Sequence, residues 1–295
     1  MLDSVPQPGP LLLGIDTCGP EGSVALGRIV RAFSSQVLTE LPVPHPSRGL
    51  MREGWETTKS PEGCRQPDGE CCSSSIEILG QKELAGRTYS AALVSAIEEL
   101  LEQAGTSLEH LRAIVVVSGP GSFTGVRVGL SAAKGLAMGA GLSVAAVSRL
   151  DVLAAKAGVP SSALDAHRHE IFLRLAGPAE ILTAQAANMG APGPWHLETG
   201  ATAELLAGAH ELAIIDPPPA RIAVCDQPGA ALLQAAWPNI EIVHASAPTA
   251  ADALALAVPR IERGEFDDVE TLDGHYLRRS DAEIFGEKPQ EPSKP

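Results

Sequence analysis

Aromatic side chains are scarce in this sequence: Phe, Tyr and Trp together make up 3% of its 295 residues. Its cores must therefore be aliphatic, drawn from an apolar fraction of 44% that is ordinary for globular proteins. Positive charge is also short. Lys and Arg number 22 against 36 Asp and Glu, a formal net charge of -14. That balance excludes a protein that grips a nucleic-acid backbone by itself, because such binding replaces phosphate counterions with clustered cations; a nucleic-acid role has to be borrowed from a partner. Five cysteines at irregular spacing do not form a disulfide framework. No apolar run approaches the roughly 20 residues of a membrane-spanning helix, and no charged, apolar and small-residue leader opens the sequence. The expected setting is a reducing cytoplasm, with no membrane partner.

What is present is concentrated in one stretch. Ser118 to Gly139 reads SGPGSFTGVRVGLSAAKGLAMG, a glycine turn running into a small-residue helix directly after the apolar strand Ala113 to Val117. Such a turn leaves backbone N–H groups unpaired at a helix N-terminus, where Ser122 or Thr124 can cap and the amides suit a phosphate or another anion. The same glycines serve equally in a tight strand-to-helix turn with no ligand. The stretch is not a Walker A motif, because Lys134 stands too far along, and it lacks the GxGxxG spacing. In the helix, Gly125, Gly129, Ala132, Ala133 and Gly135 permit close approach of another backbone at some cost in helix propensity. That backbone belongs either to this chain or to another protein.

Around this stretch the periodicity predicts an alternating chain. Leu11 to Thr17 and Ser23 to Leu26 form a hairpin across the turn Cys18 to Gly22, extended by Ile29 to Leu38. Asp16, at the end of the first strand, either orients a phosphate or metal-bound water or accepts turn N–H bonds. Thr39 to Gly80 is rich in Pro, Gly, Ser and charge without a sustained period, and reads as an insertion. Leu84 to Ala104 is an amphipathic helix with Leu93, Ile97 and Leu100 on one stripe, stopped by Gly105. Strand Ala113 to Val117, helix Phe123 to Met138 and strand Ser143 to Val147 make a right-handed β-α-β unit. Ser148 caps a helix over Arg149 to Ala157.

Farther on, strands are expected at Ala163 to Ala166, Glu170 to Ala176, Leu212 to Ile215, Ile222 to Cys225 and Ile240 to His244. Helices are expected at Thr202 to Ala207, Gly229 to Ala236 and Thr249 to Arg263. This alternation implies α/β layers. The expected domains are residues 1–149, with the insertion at 39–80, and residues 150–286. The tail 287–295 lacks apolar residues and is expected to be disordered.

The residues of catalysis are thin. His167 and His169 flank Arg168 beside Asp165 and Glu170, but no third imidazole falls nearby and no HxxxH or HExxH pair occurs, so a metal site is not expected. Cys64, Cys71 and Cys72 lack the second paired motif that zinc requires. No GxSxG elbow is present, and no cysteine stands at a helix start beside a histidine.

Three segments resemble the TsaB family, also called YeaZ: LLGIDTCGPEGSVAL (Leu12 to Leu26), Ser118 to Gly139, and GHYLRRSDAE (Gly274 to Glu283). A fourth, LDAHRHEIFLRL (Leu164 to Leu175), is similar to the family's Asp-Ala-Arg segment, with His167 where Arg is usual. Tyr89-Ser90 stands where a His-Ser or His-Thr pair is common, and the insertion exceeds the family's usual connection. The resemblance implies an α/β fold of two actin-like ATPase (ASKHA) lobes, with mixed sheets flanked by helices. It implies a catalytically inert scaffolding subunit that binds and activates TsaD and works with TsaE. Together these make threonylcarbamoyladenosine next to the anticodon of tRNA.

On this resemblance tRNA is met only through the complex. There is no intrinsic cofactor, ATP and magnesium enter through the complex, and homodimers form when the partner is absent. The implied partner interface is Tyr89, Leu93 and Ile97 on one helix and Val126, Gly129, Leu130 and Ala133 on the other. The candidate nucleotide-facing residues are Asp16, Gly119, Gly121, Ser122 and Thr124. Two other readings stay open: a stand-alone actin-like ATPase or kinase built on Asp16, Gly119, Gly121 and Ser122, and a glycoprotease-like metallopeptidase.

Overall fold

In the computed structural model, which describes residues 9–33, 72–86, 88–177, 196–198 and 202–278, the opening hairpin is a three-stranded meander. β1 (Leu11–Asp16) pairs antiparallel with β2 (Gly22–Phe33), and β2 pairs antiparallel with β3 (Cys72–Leu84). The expected insertion therefore ends earlier than its composition suggests, at β3. Leu84 closes that strand instead of opening a helix. A polar sequence suffices because β3 is the sheet edge, where Ser75 and Glu77 point to solvent. Most of the insertion and all of the tail 287–295 lie outside the described residues.

α1 (Tyr89–Gln103) follows, stopped by Gly105 at φ +63. β4 (Leu111–Gly119), α2 (Phe123–Ala140) and β5 (Ser143–Ser148) form the predicted β-α-β unit, with β1, β4 and β5 mutually parallel. The five-stranded sheet has the order β3-β2-β1-β4-β5. β4 is buried on both faces, which is why its sequence, LRAIVVVSG, reads as a nearly unbroken apolar run.

After α3 (Arg149–Ala157) come β6 (Ser162–Asp165), β7 (Glu170–Ala176), β8 (His196–Glu198), β9 (Thr202–Gly208), α4 (Ala209–Ile214), β10 (Arg221–Val224), α5 (Gln227–Ala236), β11 (Glu241–His244) and α6 (Ala250–Glu262). The second sheet is six-stranded and mixed, in the order β11-β10-β6-β7-β9-β8. Here two expectations are corrected. Thr202 to Ala207, expected as a helix, is strand β9, and Leu212 to Ile215, expected as a strand, falls mainly in α4. The segment is rich in Ala, Leu and Glu, good helix formers. Cross-strand pairing with β7 overrides that preference, and Ala203, Leu205 and Ala207 alternate into the second core.

The second half of the chain does not stay with the second sheet. α6 lies across the face of the first sheet opposite α1 and α2, burying Ala250, Ala253, Leu254, Ala257, Val258 and Ile261 in the first core. Gly14 of β1 makes room for it, since a Cβ there would stand 2.8 Å from the Ala250 carbonyl oxygen. The chain then returns along β5. Asp267 N–H donates to the Val144 carbonyl (2.9 Å), and its carboxylate accepts from Ala146 N–H (2.7 Å). Among the described residues no helix is long and apolar enough to cross a membrane.

Candidate functional site

The glycine turn after β4 is filled by the chain itself. Ser122 N–H donates to the Cys18 carbonyl (2.8 Å), and the Thr17 hydroxyl donates to the Gly125 carbonyl (2.6 Å). A Cβ on Gly121 would lie 2.2 Å from Cys18 O, one on Gly125 1.9 Å from Thr17 O, and one on Gly129 2.4 Å from Thr17 Oγ1. These glycines therefore let the β1–β2 turn seat directly on α2. Ser122 caps the helix by accepting from Gly125 N–H. Gly119 lies under the His275 carbonyl, and Thr124 points outward to solvent. Of the candidate nucleotide-facing residues, the structure brings Asp16, Gly119, Gly121 and Ser122 together around a packed turn and leaves Thr124 outside it.

Asp16 is 1% exposed and faces Arg149, itself 6% exposed, with 3.5 Å between Oδ2 and Nε. Oδ1 accepts from Cys18 N–H at 2.8 Å. Oδ2 and the arginine Nε are close enough to attract but, among the described residues, neither has a hydrogen-bond partner. Burial works against the Arg149 charge. The Asp16 carboxylate, acting together with Cys18, Cys225 and Tyr89, offsets it, and the guanidinium is held above its ordinary range. Beside the pair, burial and then the Asp16 charge push the Cys18 thiol well above its usual value, and its Sγ donates to the Val117 carbonyl. The Tyr89 phenol is raised for the same reasons and donates to the Gly19 carbonyl at 2.8 Å. The carboxylate that ends β1 is thus matched by an internal cation. Sequence reasoning missed Arg149; the available signal was a charged residue at the start of an apolar helix.

A second polar cluster joins the two sheets. Glu204 of β9 is 6% exposed and accepts from the Ser148 hydroxyl (2.7 Å), while His275 Nε2 lies 2.6 Å from its other oxygen. His275 also donates its backbone N–H to Ser118 O at 2.8 Å. The Ser148 hydroxyl gives its proton to the carboxylate and not to the imidazole, so the trio is not arranged as the serine–histidine pair of nucleophilic catalysis. The residues after His275 continue the stitching. Tyr276 stacks on Phe123 of α2, Leu277 is buried in a third core cluster between α3 and the second sheet, and Arg278 pairs with Glu170 and donates to the Ala166 carbonyl.

The residues expected at the partner interface lie inside the first core. Tyr89, Leu93, Ile97, Val126, Leu130 and Ala133 are each at most 7% exposed, and Gly129 is buried against Thr17. The apolar stripe of each helix faces its own sheet, and the opposite side of the pair is open. There, Ser90 and Val94 of α1 and Thr124, Arg127, Val128, Ser131 and Ala132 of α2 line a groove of 460 Å³, with Leu93 in its floor. Val94 is 49% exposed. The α2 lining recurs at helical spacing, which sequence alone does not separate from an ordinary solvated face.

The histidine pair is spread over a tight turn. His167, Arg168 and His169 all have positive φ, and His167 Nδ1 lies 3.0 Å from the Asp165 carboxylate at an exposed position. Among the described residues no group of three metal-ligating side chains forms. Cys64 and Cys71 lie outside the described residues.

The family model described as TsaD, tRNA N6-adenosine threonylcarbamoyltransferase, matches residues 76–194. The chain is 38% identical over 113 residues to the tRNA threonylcarbamoyladenosine biosynthesis protein TsaB of Haemophilus influenzae, covering 35% of this chain and 48% of that protein. It is 36% identical to the TsaB of Escherichia coli K12, covering 35% and 49%. The chain thus spans about half the length of these curated relatives. A solved structure from Pseudomonas aeruginosa, described as an uncharacterized protein with similarity to peptidase YEAZ, superposes with a TM-score of 0.55 at 23% identity, covering 91% of this chain and all of that one. In sequence the chain resembles the TsaB (YeaZ) family, and it shares the two-sheet fold of that solved protein.

Proposed function

We propose that this chain, similar in sequence to TsaB and built on the fold solved for a YeaZ-like protein, is a non-catalytic scaffolding subunit of the bacterial threonylcarbamoyladenosine machinery. In this reading it acts in the cytoplasm, binds TsaD through the outer faces of α1 and α2, and works with TsaE; tRNA, ATP and magnesium are handled by the assembled complex. The observation that carries the docking part is the groove between the two helices, with half-exposed Val94 beside Val128 and Ala132. Exposed apolar surface framed by polar residues is typical of protein–protein contact. The inert part rests on the packed glycine turn. Its Ser122 amide is occupied by Cys18 O, and Arg149 stands at the Asp16 carboxylate. Both work against the stand-alone ATPase or kinase.

Purified TsaD is expected to co-elute with this chain, and Val94→Glu should abolish co-elution while leaving the circular dichroism spectrum unchanged. Deleting the gene should lower threonylcarbamoyladenosine in tRNA. Unaltered levels, with no second copy of the gene present, would refute the role.

A further inference from the structure

We propose that Arg127 selects the occupant of the α1–α2 groove, and that this occupant is a partner helix presenting a carboxylate beside its apolar stripe. The inference rests on the docking reading above and adds the chemistry by which the groove recognises its partner.

Arg127 is exposed on the outer side of α2 and lines the groove. Its guanidinium lies 4.8 Å from the Phe123 ring centre and 5.7 Å from that of Tyr276, and the two rings stack 4.6 Å apart at 16°. Contact with two aromatic faces holds the planar cation in place, so less side-chain freedom is lost when a ligand arrives. In a chain of net charge -14, cations are commonly claimed by internal carboxylates, as Arg149, Arg174, Arg260 and Arg278 are. Arg127 is not: among the described residues its guanidinium contacts these two rings and no carboxylate.

The remaining groove lining carries no charge, being Ser90, Leu93, Val94, Thr124, Val128, Ser131 and Ala132. The groove is thus uncharged along its length, mixing aliphatic and hydroxyl side chains, and positive at one place. Lining of this kind fits an amphipathic helix with one Asp or Glu at the edge of its apolar face. Arginine is one of the three residue types enriched at interface hot spots, where it is desolvated by the partner.

The test is titration calorimetry of purified TsaD against the full chain at two salt concentrations. Arg127→Met keeps much of the packing and removes the charge; it should weaken binding about 30-fold or more, the level of a hot spot, and flatten the salt dependence. Arg127→Lys retains charge but loses the planar stack, and should bind between Met and wild type with salt dependence retained. Far-ultraviolet circular dichroism and the melting temperature verify the fold of each variant. If Arg127→Met binds as wild type does while Val94→Glu abolishes binding, the selector role falls and docking stands. If both variants bind as wild type does, docking falls as well. A dimer of this chain in sedimentation that Arg127→Glu dissolves, with TsaD affinity unmoved, would assign the groove to a second copy and overturn the proposed occupant.

Discussion

Thr17 is the residue on which the glycines of α2 converge. Its carbonyl occupies the space of a Gly125 side chain and its hydroxyl that of Gly129, whereas a Cβ on Gly135, one face away, would meet no heavy atom within 4 Å. Gly125→Ala or Gly129→Ala should therefore destabilise the protein by about 1–3 kcal/mol through overpacking. Gly135→Ala should stabilise it by about 0.5–1 kcal/mol, since only the helical cost of glycine is removed. Urea denaturation of the three variants separates the cases, and a common response would contradict the packing of the turn.

The same turn sets a pH dependence. Cys18 and Tyr89 are both raised, chiefly by burial and next by the Asp16 charge. Stability from such groups is complete below their unfolded values, about 8.5 and 10, and is lost as pH rises through the folded ones. The melting temperature should fall from about pH 8.5 upward, and Cys18→Ala should remove the earlier part of the fall. A flat profile through about pH 10.5 would contradict this account.

At the scale of elements, α2, β4, β5 and α3 were legible because local and global demands agree. An apolar run marks a doubly covered strand, Ser122 and Ser148 cap the helices, and Gly141 and Gly158 end them in left-handed conformation. β9 was not legible: its helix-forming residues adopt the strand that β7 imposes, and the alternation of Ala203, Leu205 and Ala207 is weak when two of the three are alanine. The polarity of β3 hid it because an edge strand needs little apolar sequence. Amphipathicity revealed that α6 has a buried side but could not say which sheet it covers. For the same reason the apolar stripes of α1 and α2 were legible while their destination was not. Arg149, Glu204 and His275 meet their partners across long sequence separations, and no local pattern marks such a meeting.

The late residues of the described chain add ties between distant parts of the molecule. Gly274 to Arg278 touch the glycine turn, α2 and the second sheet in succession. Ending the chain after Asp273 should therefore weaken the coupling of the two sheets, which α3 also bridges, and lower and broaden the calorimetric melt more than ending it after Arg278 does. A single unchanged transition for both truncations would show that the sheets are coupled by other contacts.

The position of α6 has a further consequence, for the order of events on the ribosome. The first sheet is complete in sequence by Ser148, yet one of its faces is covered by residues 250–262. During translation that face stays uncovered while the whole second sheet is being made. Contacts of such long range are slow to form, and exposed apolar sheet invites association in the interval. The nascent chain should therefore depend on chaperones until α6 emerges, although each half of the sequence, taken separately, looks able to fold as it is made.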